Sequence, residues 1–365
     1  MSILYEPFAI GAARSMVVKN RFVRSATHDF MGNMDGSLSD REFDLYRTLA
    51  AHDLGLIITG HSYVLHPEGR IRPGQNAIYD DSFIEGYRKL ARIVHKYGAK
   101  LVLQISHAGR QVDTLTKEDN WMPVAPSPVT NRVTGITPRE MTEGEILQWI
   151  EAYAAAMARA KAAGCDGVQL HIAHGYGLSQ FISPYTNRRR DRWGGSLENR
   201  TRILREIMSR GRRLVGDDFP VLAKLNTTDG FDGPEYLTLE DAVAVARILE
   251  SCGVDAIEVS GGMKEAGDVM SRKDINSQEQ EAYFKDAARA IKATVSIPVI
   301  LVGGLRSLSV MESLVTSGVA DIVSLCRPLI REPDLISRFR KGQAKSACRS
   351  CNACFNHGGI QCPHK

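Results

Sequence analysis

The sequence predicts a closed (β/α)8 barrel, and three observations carry that prediction. Short apolar, β-branched runs recur eight times. Each is followed by a stretch with helical signals. The length, 365 residues, suits one such barrel with insertions. The runs are RFVRSAT (21–27), LGLIITG (54–60), LVLQIS (101–106), GVQLHI (167–172), VLAKLN (221–226), AIEVSGG (256–262), PVILVGG (298–304) and DIVSLCR (321–327). Their continuous apolar character fits strands covered on both faces, as in a parallel sheet.

The intervening stretches carry helix punctuation. Thr142 and Glu145 form a capping box before EILQWIEAYAAAMARAKAAG, and Gly164 stands where that helix should stop. Thr238 opens another helix that ends at Gly253, and Ser307 opens a short one that ends at Gly318. The alternative, an open doubly wound sheet, should show a glycine fingerprint after its first strand, and the sequence has none. Residues before the first strand are expected to cap the barrel bottom. Residues 1–341 are read as one barrel domain and 342–365 as a Cys-rich tail without periodicity.

Composition narrows the function classes. The net charge of +4 is mild and no basic run forms an arm, so nucleic acid is not an expected partner. Arg188, Arg189, Arg190 and Arg192 are interrupted by Asp191 and read as a loop. No apolar run approaches the length of a membrane span, and MSILYEPFAIG lacks a basic region before an apolar core. A cytoplasmic location without membrane association is therefore expected, and a homo-oligomer is left open. The cysteine count is seven. Cys165, Cys252 and Cys326 stand alone in apolar stretches, as buried thiols rather than a disulfide framework.

Chemistry in a parallel barrel gathers at the C-terminal ends of the strands. Those ends supply Thr27 and His28, Gly60, Gln104, His171 with His174 and Tyr176, Lys224, 260–262, Gly303 with Gly304, and Arg327. The set is rich in donors and nearly free of carboxylates, which disfavours paired-carboxylate hydrolysis and hard-cation sites; Asp229 already lies in a loop. Gly303-Gly304 followed by a helix, with Cys326-Arg327 ending the eighth strand, matches the barrel phosphate site. Singly, the glycines could merely turn the chain and Arg327 could pair at the surface. Gln104 and Lys224, at the ends of apolar strands, need partners: a heteroaromatic ligand with a hydrogen-bonding edge, a water or a carboxylate.

KNRFVRSAT, LQISHAGRQ, HIAHGYGLSQFISPYTNRRRDRWGGSLENR and ADIVSLCRPLIREP resemble the Old Yellow Enzyme family of FMN-dependent oxidoreductases. The resemblance runs from about Pro7 to Lys341, nearly the whole barrel. Because of the cysteine tail, the branch looks similar to the flavin domain of bacterial 2,4-dienoyl-CoA reductase and trimethylamine dehydrogenase. Those enzymes continue into further nucleotide-binding domains. The resemblance implies that Gln104 bonds the flavin pyrimidine edge and that Lys224 is the basic residue near flavin N1 and O2. It places the phosphate on Gly303, Gly304, Cys326 and Arg327, and the ring against Ser25, Ala26 and Thr27, with Gly60 among the cofactor contacts. Ala26 and His28 depart from the Pro and the Cys or Thr often found in this stretch.

The resemblance also implies that His171 and His174 bond a substrate carbonyl oxygen and that Tyr176 donates a proton. The chemistry is consistent in itself. Hydride delivery to an activated C=C bond builds negative charge on the carbonyl oxygen, which two imidazole donors stabilise, and a tyrosine protonated at neutral pH can serve the far carbon. Two rivals are a metal site from H-x-x-H, which lacks a third ligand nearby, and a pair of core histidines bonded to backbone.

The tail presents Cys348, Cys351, Cys354 and Cys362, the first three at ferredoxin-like spacing. An iron–sulfur cluster of the [4Fe–4S] type, a zinc site aided by His357 or His364, and a tail of unbound thiols all compete. The gap to the fourth cysteine is shorter than in the resembling branch. The expected function is an FMN-dependent reductase of electrophilic alkenes, the small-molecule substrate class, that uses NADH or NADPH in the same pocket. An electron-transfer or redox-sensing subunit and an amine dehydrogenase are the alternatives.

Overall fold

The structure, a computed structural model, describes residues 2–11, 15–113 and 121–364. Eight parallel strands form a closed ring: β1 (Phe22–Arg24), β2 (Leu56–Ile58), β3 (Lys100–Ser106), β4 (Gly167–Ile172), β5 (Val221–Asn226), β6 (Ala256–Ser260), β7 (Val299–Leu301) and β8 (Ile322–Leu325). Each pairs in parallel with the next, and β8 pairs with β1. All eight expected strands are present. Several expected ranges overshoot the hydrogen-bonded ladder because residues just past it, such as Ser25, Thr59 and Gly60, are as buried as the strands.

Eight helices follow the strands in turn: α1 (Asp40–Ala51), α2 (Ile84–His95), α3 (Glu143–Ala162), α4 (Arg202–Val215), α5 (Leu239–Ser251), α6 (Lys285–Lys292), α7 (Leu308–Thr316) and α8 (Leu335–Arg340). The Thr142–Glu145 capping box is formed as expected. An equivalent box at Ser39 and Glu42 starts α1. α3 buries Ile146, Trp149, Ile150, Tyr153, Met157 and Ala160, the three-to-four spacing of a single helical face. An extra short helix, Arg327–Arg331, follows β8 before α8, in the place such a helix takes at barrel phosphate sites.

The bottom of the barrel is closed as the sequence suggests. Phe8–Ile10 and Met16–Val18 form an antiparallel hairpin. Its Ile10, Met16 and Val18 pack with Val23, Leu56, Val102, Leu222, Ile300 and Ile322 inside the ring. Fully burying each such side chain contributes about 1.5–3 kcal/mol, so the plug keeps water from the barrel interior at that end. A second, larger core lies between strands and helices. No helix among the described residues is long and apolar enough to cross a membrane.

Candidate active site

A cavity of about 360 Å³ opens at the C-terminal ends of the strands, within the usual range for cofactor sites of about 300–1,000 Å³. Ser25, Gln104, Lys224 and Ser324 line its floor. His28, His61, His171, His174, Tyr176 and Lys264 line one side. Gly304, Tyr283, Cys326 and Arg327 line the far end, with Ser350, Asn352 and Phe355 of the tail at the rim. Ala26 and Thr27 also reach it. Gly60 does not line it; the glycine lies behind the wall, where an added Cβ would come within 2.8 Å of the Thr27 carbonyl oxygen.

The floor rests on a carboxylate that the strand-end reading misses. Glu258, in β6, is fully buried. Its Oε1 accepts from Ser25 Oγ at 2.7 Å and from Ser324 Oγ at 2.9 Å. Its Oε2 accepts from Gln169 Nε2 at 2.9 Å and lies 3.4 Å from Lys224 Nζ. Lys224 also donates to Ser25 Oγ at 2.8 Å, and Gln104 Nε2 donates to Gln169 Oε1 at 2.6 Å. The partners of Gln104 and Lys224 are therefore partly internal. Burial works to raise the Glu258 pKa, but the Lys224 charge and these hydrogen bonds outweigh it and hold it below the ordinary value.

The histidine wall is a chain of rings. Centroids lie 5.2 Å apart for His28 and His61, 5.4 Å for His61 and His171, and 5.2 Å for His171 and His174. Tyr176 lies 4.9 Å from His61 and 5.0 Å from His171. His174 has a φ of +64°, and its Nε2 bonds Ser260 Oγ at 2.8 Å. Nδ1 of His171 and Nε2 of His28 are buried without a partner. Burial first, then the neighbouring His174, His61 and Lys224, pushes His171 well below the ordinary histidine value. Burial and then Lys224 bring His174 to about 3. Both rings are neutral at physiological pH and each carries one N–H. Burial raises the Tyr176 pKa, and the Lys264 ammonium partly offsets this.

Lys264 is brought there by a backbone bridge between His174 and Met263, and it pairs with Asp113. The next residue, Glu265, locks the segment. Its carboxylate accepts from Arg110 Nη1 and Nη2 at 2.6 and 2.9 Å, with both side chains fully buried.

At the far end, Gly303 and Gly304 have φ of +136° and +69°. A Cβ on Gly304 would come within 2.9 Å of the Tyr283 ring, so glycine is required by both conformation and packing. Arg327 is only 5% exposed. Its Nη1 donates to the carbonyls of Arg272 at 2.8 Å and Ser350 at 3.1 Å and to Asn352 Oδ1 at 2.8 Å. The expected phosphate arginine is thus also the anchor of the tail. Cys326 Sγ lies 3.1 Å from Thr27 Oγ1.

The expected tail ligand set is not assembled. Among the described residues, no three His, Cys, Asp or Glu side chains are grouped so as to hold a metal. Cys348 Sγ accepts from Ser350 N at 3.4 Å, Cys354 packs with Ile330 and Ile360, and Cys362 Sγ lies 3.9 Å from Arg331 Nη1. Ser350 and Asn352 adopt left-handed backbone, φ +55° and +62°, and Arg327 pins both. The thiols as placed do not fit a cluster or zinc. His171 and His174 likewise belong to no metal group.

His61 and Lys264 are cavity residues that strand-end reading overlooks. His61 had a signal, since it directly follows Gly60; Lys264 opens a short 3-10 helix, Lys264–Ser271, beyond the strand end and had none. The chain is 38% identical over 347 residues to an NADH oxidase of Thermoanaerobacter brockii, covering 94% of this chain and 52% of that protein. It is 32% identical over 330 residues to an NADPH dehydrogenase of Clostridium acetobutylicum, covering 90% and 92%. A 2-naphthoyl-CoA reductase structure superimposes with a TM-score of 0.86 at 30% identity, over 96% of this chain and 54% of that one. The chain thus spans about half the length of some relatives and nearly all of others. The family model of NADH:flavin oxidoreductase / NADH oxidase matches residues 3–346, the whole barrel and the start of the tail, and the chain belongs to that family.

Proposed function

We propose that the cavity binds FMN and that the chain uses NADH or NADPH to reduce the C=C bond of α,β-unsaturated carbonyl compounds. The observation that carries this reading is the neutral His171–His174 pair beside a protonated, buried Tyr176, above the Gln104–Lys224 floor. The residues fit the cofactor. The floor offers hydrogen-bonding groups to a heterocycle, while Gly304, Cys326 and Arg327 offer a phosphate end, and His171 Nδ1 and His28 Nε2 lack protein partners. Bound there, FMN would supply hydride transfer.

The chain's own residues do the rest. His171 and His174 hold N–H donors toward the carbonyl oxygen and stabilise its developing negative charge. Being neutral, they do not surrender a proton to it. Ser260, bonded to His174 Nε2, leaves Nδ1 as the atom that ring can offer. Tyr176 holds a proton at Oη for the far carbon, and the Lys264 charge eases its release. His171 and Tyr176 are buried and His174 is half-buried, which limits water at the reacting atoms. NAD(P)H takes the same cavity in an alternating half-reaction. No step runs through a metal.

The test is steady NADPH consumption with a cyclic enone, using micromolar purified chain and no partner protein. An anaerobic spectrum before and after dithionite establishes the flavin. Flavin that reduces without turnover would overturn the ene-reductase reading and favour the electron-transfer alternative.

A further inference from the structure

We infer that Glu258, acting through Gln169, is a positioning residue that fixes Gln104 with its carbonyl oxygen toward the cavity. The floor then presents a hydrogen-bond acceptor beside the Lys224 ammonium. Only the identity of the ligand rests on the flavin reading; the orientation belongs to the chain itself.

The barrel register brings these residues together. Gln104 is the Cα partner of Gln169 across β3 and β4, and Lys224 is the partner of Glu258 across β5 and β6. Gln169 and Glu258 are both fully buried. An ionised carboxylate accepts hydrogen bonds and donates none. All four groups around Glu258 are donors: the hydroxyls of Ser25 and Ser324, the amide of Gln169 and the ammonium of Lys224. Facing an acceptor at 2.9 Å, Gln169 must turn its NH2 group to Glu258. That leaves its Oε1 facing Gln104. At 2.6 Å two carbonyl oxygens cannot share that contact, so Gln104 must turn its own NH2 group inward. Reversing either amide would set like against like. Oε1 of Gln104 is left for the cavity.

Lys224 completes the pattern. Its ammonium has three N–H bonds. Ser25 takes one of them, Glu258 is the ion-pair partner at 3.4 Å, and Lys224 itself lines the cavity, where a remaining N–H can meet a ligand. Glu258 keeps its charge because Lys224 and its hydrogen bonds outweigh the penalty of burial. An acceptor next to a cation selects a heterocycle with an N–H adjacent to a carbonyl, an imide or lactam edge. A ring with two acceptors on that edge would meet Gln104 oxygen to oxygen.

The experiment uses the full chain, free of ligand and 15N-labelled, with hydrogen exchange read at glutamine side-chain amides by NMR. The Gln104 amide should exchange at least about tenfold more slowly than that of exposed Gln361 in the same molecule, the protection expected from one hydrogen bond. Equal rates would overturn the inference. Gln169→Met keeps the length of the side chain and leaves the Glu258–Lys224 pair intact. It should release the Gln104 amide to fast exchange and weaken FMN binding about tenfold. An unchanged Gln104 rate in that variant would also overturn it. Slow exchange in a wild-type chain that binds no FMN would uphold the orientation and sink the flavin reading instead.

Discussion

His171→Leu should make the ligand-free chain more stable while disabling it. The imidazole is 3% exposed and its Nδ1 has no partner. A buried, unsatisfied polar atom costs about 1–3 kcal/mol. Leucine fills a similar volume without that atom, so the variant should gain about that amount at pH 7. Acid should widen the gain. The histidine pKa in the folded chain lies well below the ordinary value of 6.5. Below that value the unfolded chain takes up a proton that the folded chain refuses, so wild-type stability falls as pH falls. The variant lacks this term, and its advantage at pH 5 should grow by up to about 2 kcal/mol. In FMN-loaded protein, loss of one donor to the carbonyl oxygen should slow enone reduction by about 10²–10³-fold. Urea denaturation of FMN-free protein at pH 7 and pH 5, with enone reduction followed by stopped flow, measures all three effects. A variant less stable than wild type, with unchanged activity per folded molecule, would show that His171 is a core residue and refute the reasoning.

Tyr176→Phe should leave flavin reduction by NAD(P)H nearly intact and slow alkene reduction by about 10²–10⁴-fold; equal slowing of both half-reactions would assign Tyr176 to nicotinamide positioning. Glu265→Ala strands a fully buried Arg110 and should cost about 3–5 kcal/mol in denaturant melts. The control Glu151→Ala, from an exposed pair with Arg210, should cost about 0–1 kcal/mol, and similar losses would refute the clamp. Arg327→Lys keeps the charge but loses the planar guanidinium whose Nη1 holds Arg272 and Asn352 while its other nitrogens stay available to a ligand. FMN retention on dialysis should fall by about tenfold or more, and full retention would count against a phosphate at this end. Stability of the ligand-free chain should peak near pH 7, where the five histidine terms have faded to the size of the single Glu42 term. Below it, His28, His61, His107, His171 and His174, all depressed by burial, resist protons that the unfolded chain binds. Above it, Glu42, raised by burial and Asp29 to about 8, holds a proton that the unfolded chain releases. A fall in stability from pH 5 to pH 7 would contradict the histidine arm, and a continued rise from pH 7 to pH 8 would contradict the Glu42 arm.

The barrel is legible in the sequence because a parallel strand covered on both faces is apolar at nearly every position, a signal that needs no knowledge of its neighbours. The strand ends are legible for the same reason, and they carry His171, His174, Tyr176, Gln104, Lys224 and Arg327 to the cavity. What depends on register is not legible one residue at a time. Glu258 sits inside AIEVS, where a single carboxylate reads as outward-facing, and its partners come from four other strands that meet only when the ring closes. The cysteines pose a different problem. Spacing states which thiols could reach one point, but direction comes from backbone. Ser350 and Asn352 turn left-handed, held by Arg327, and Cys354 enters an apolar pocket. A better reading of the strands treats their polar residues as a set. Gln104, Gln169, Lys224 and Glu258 all interrupt apolar runs, and each would cost a few kcal/mol if buried alone. One acceptor-only group among two amides and an ammonium can be satisfied only if the donors converge on it, so the four imply one another before any coordinate is known.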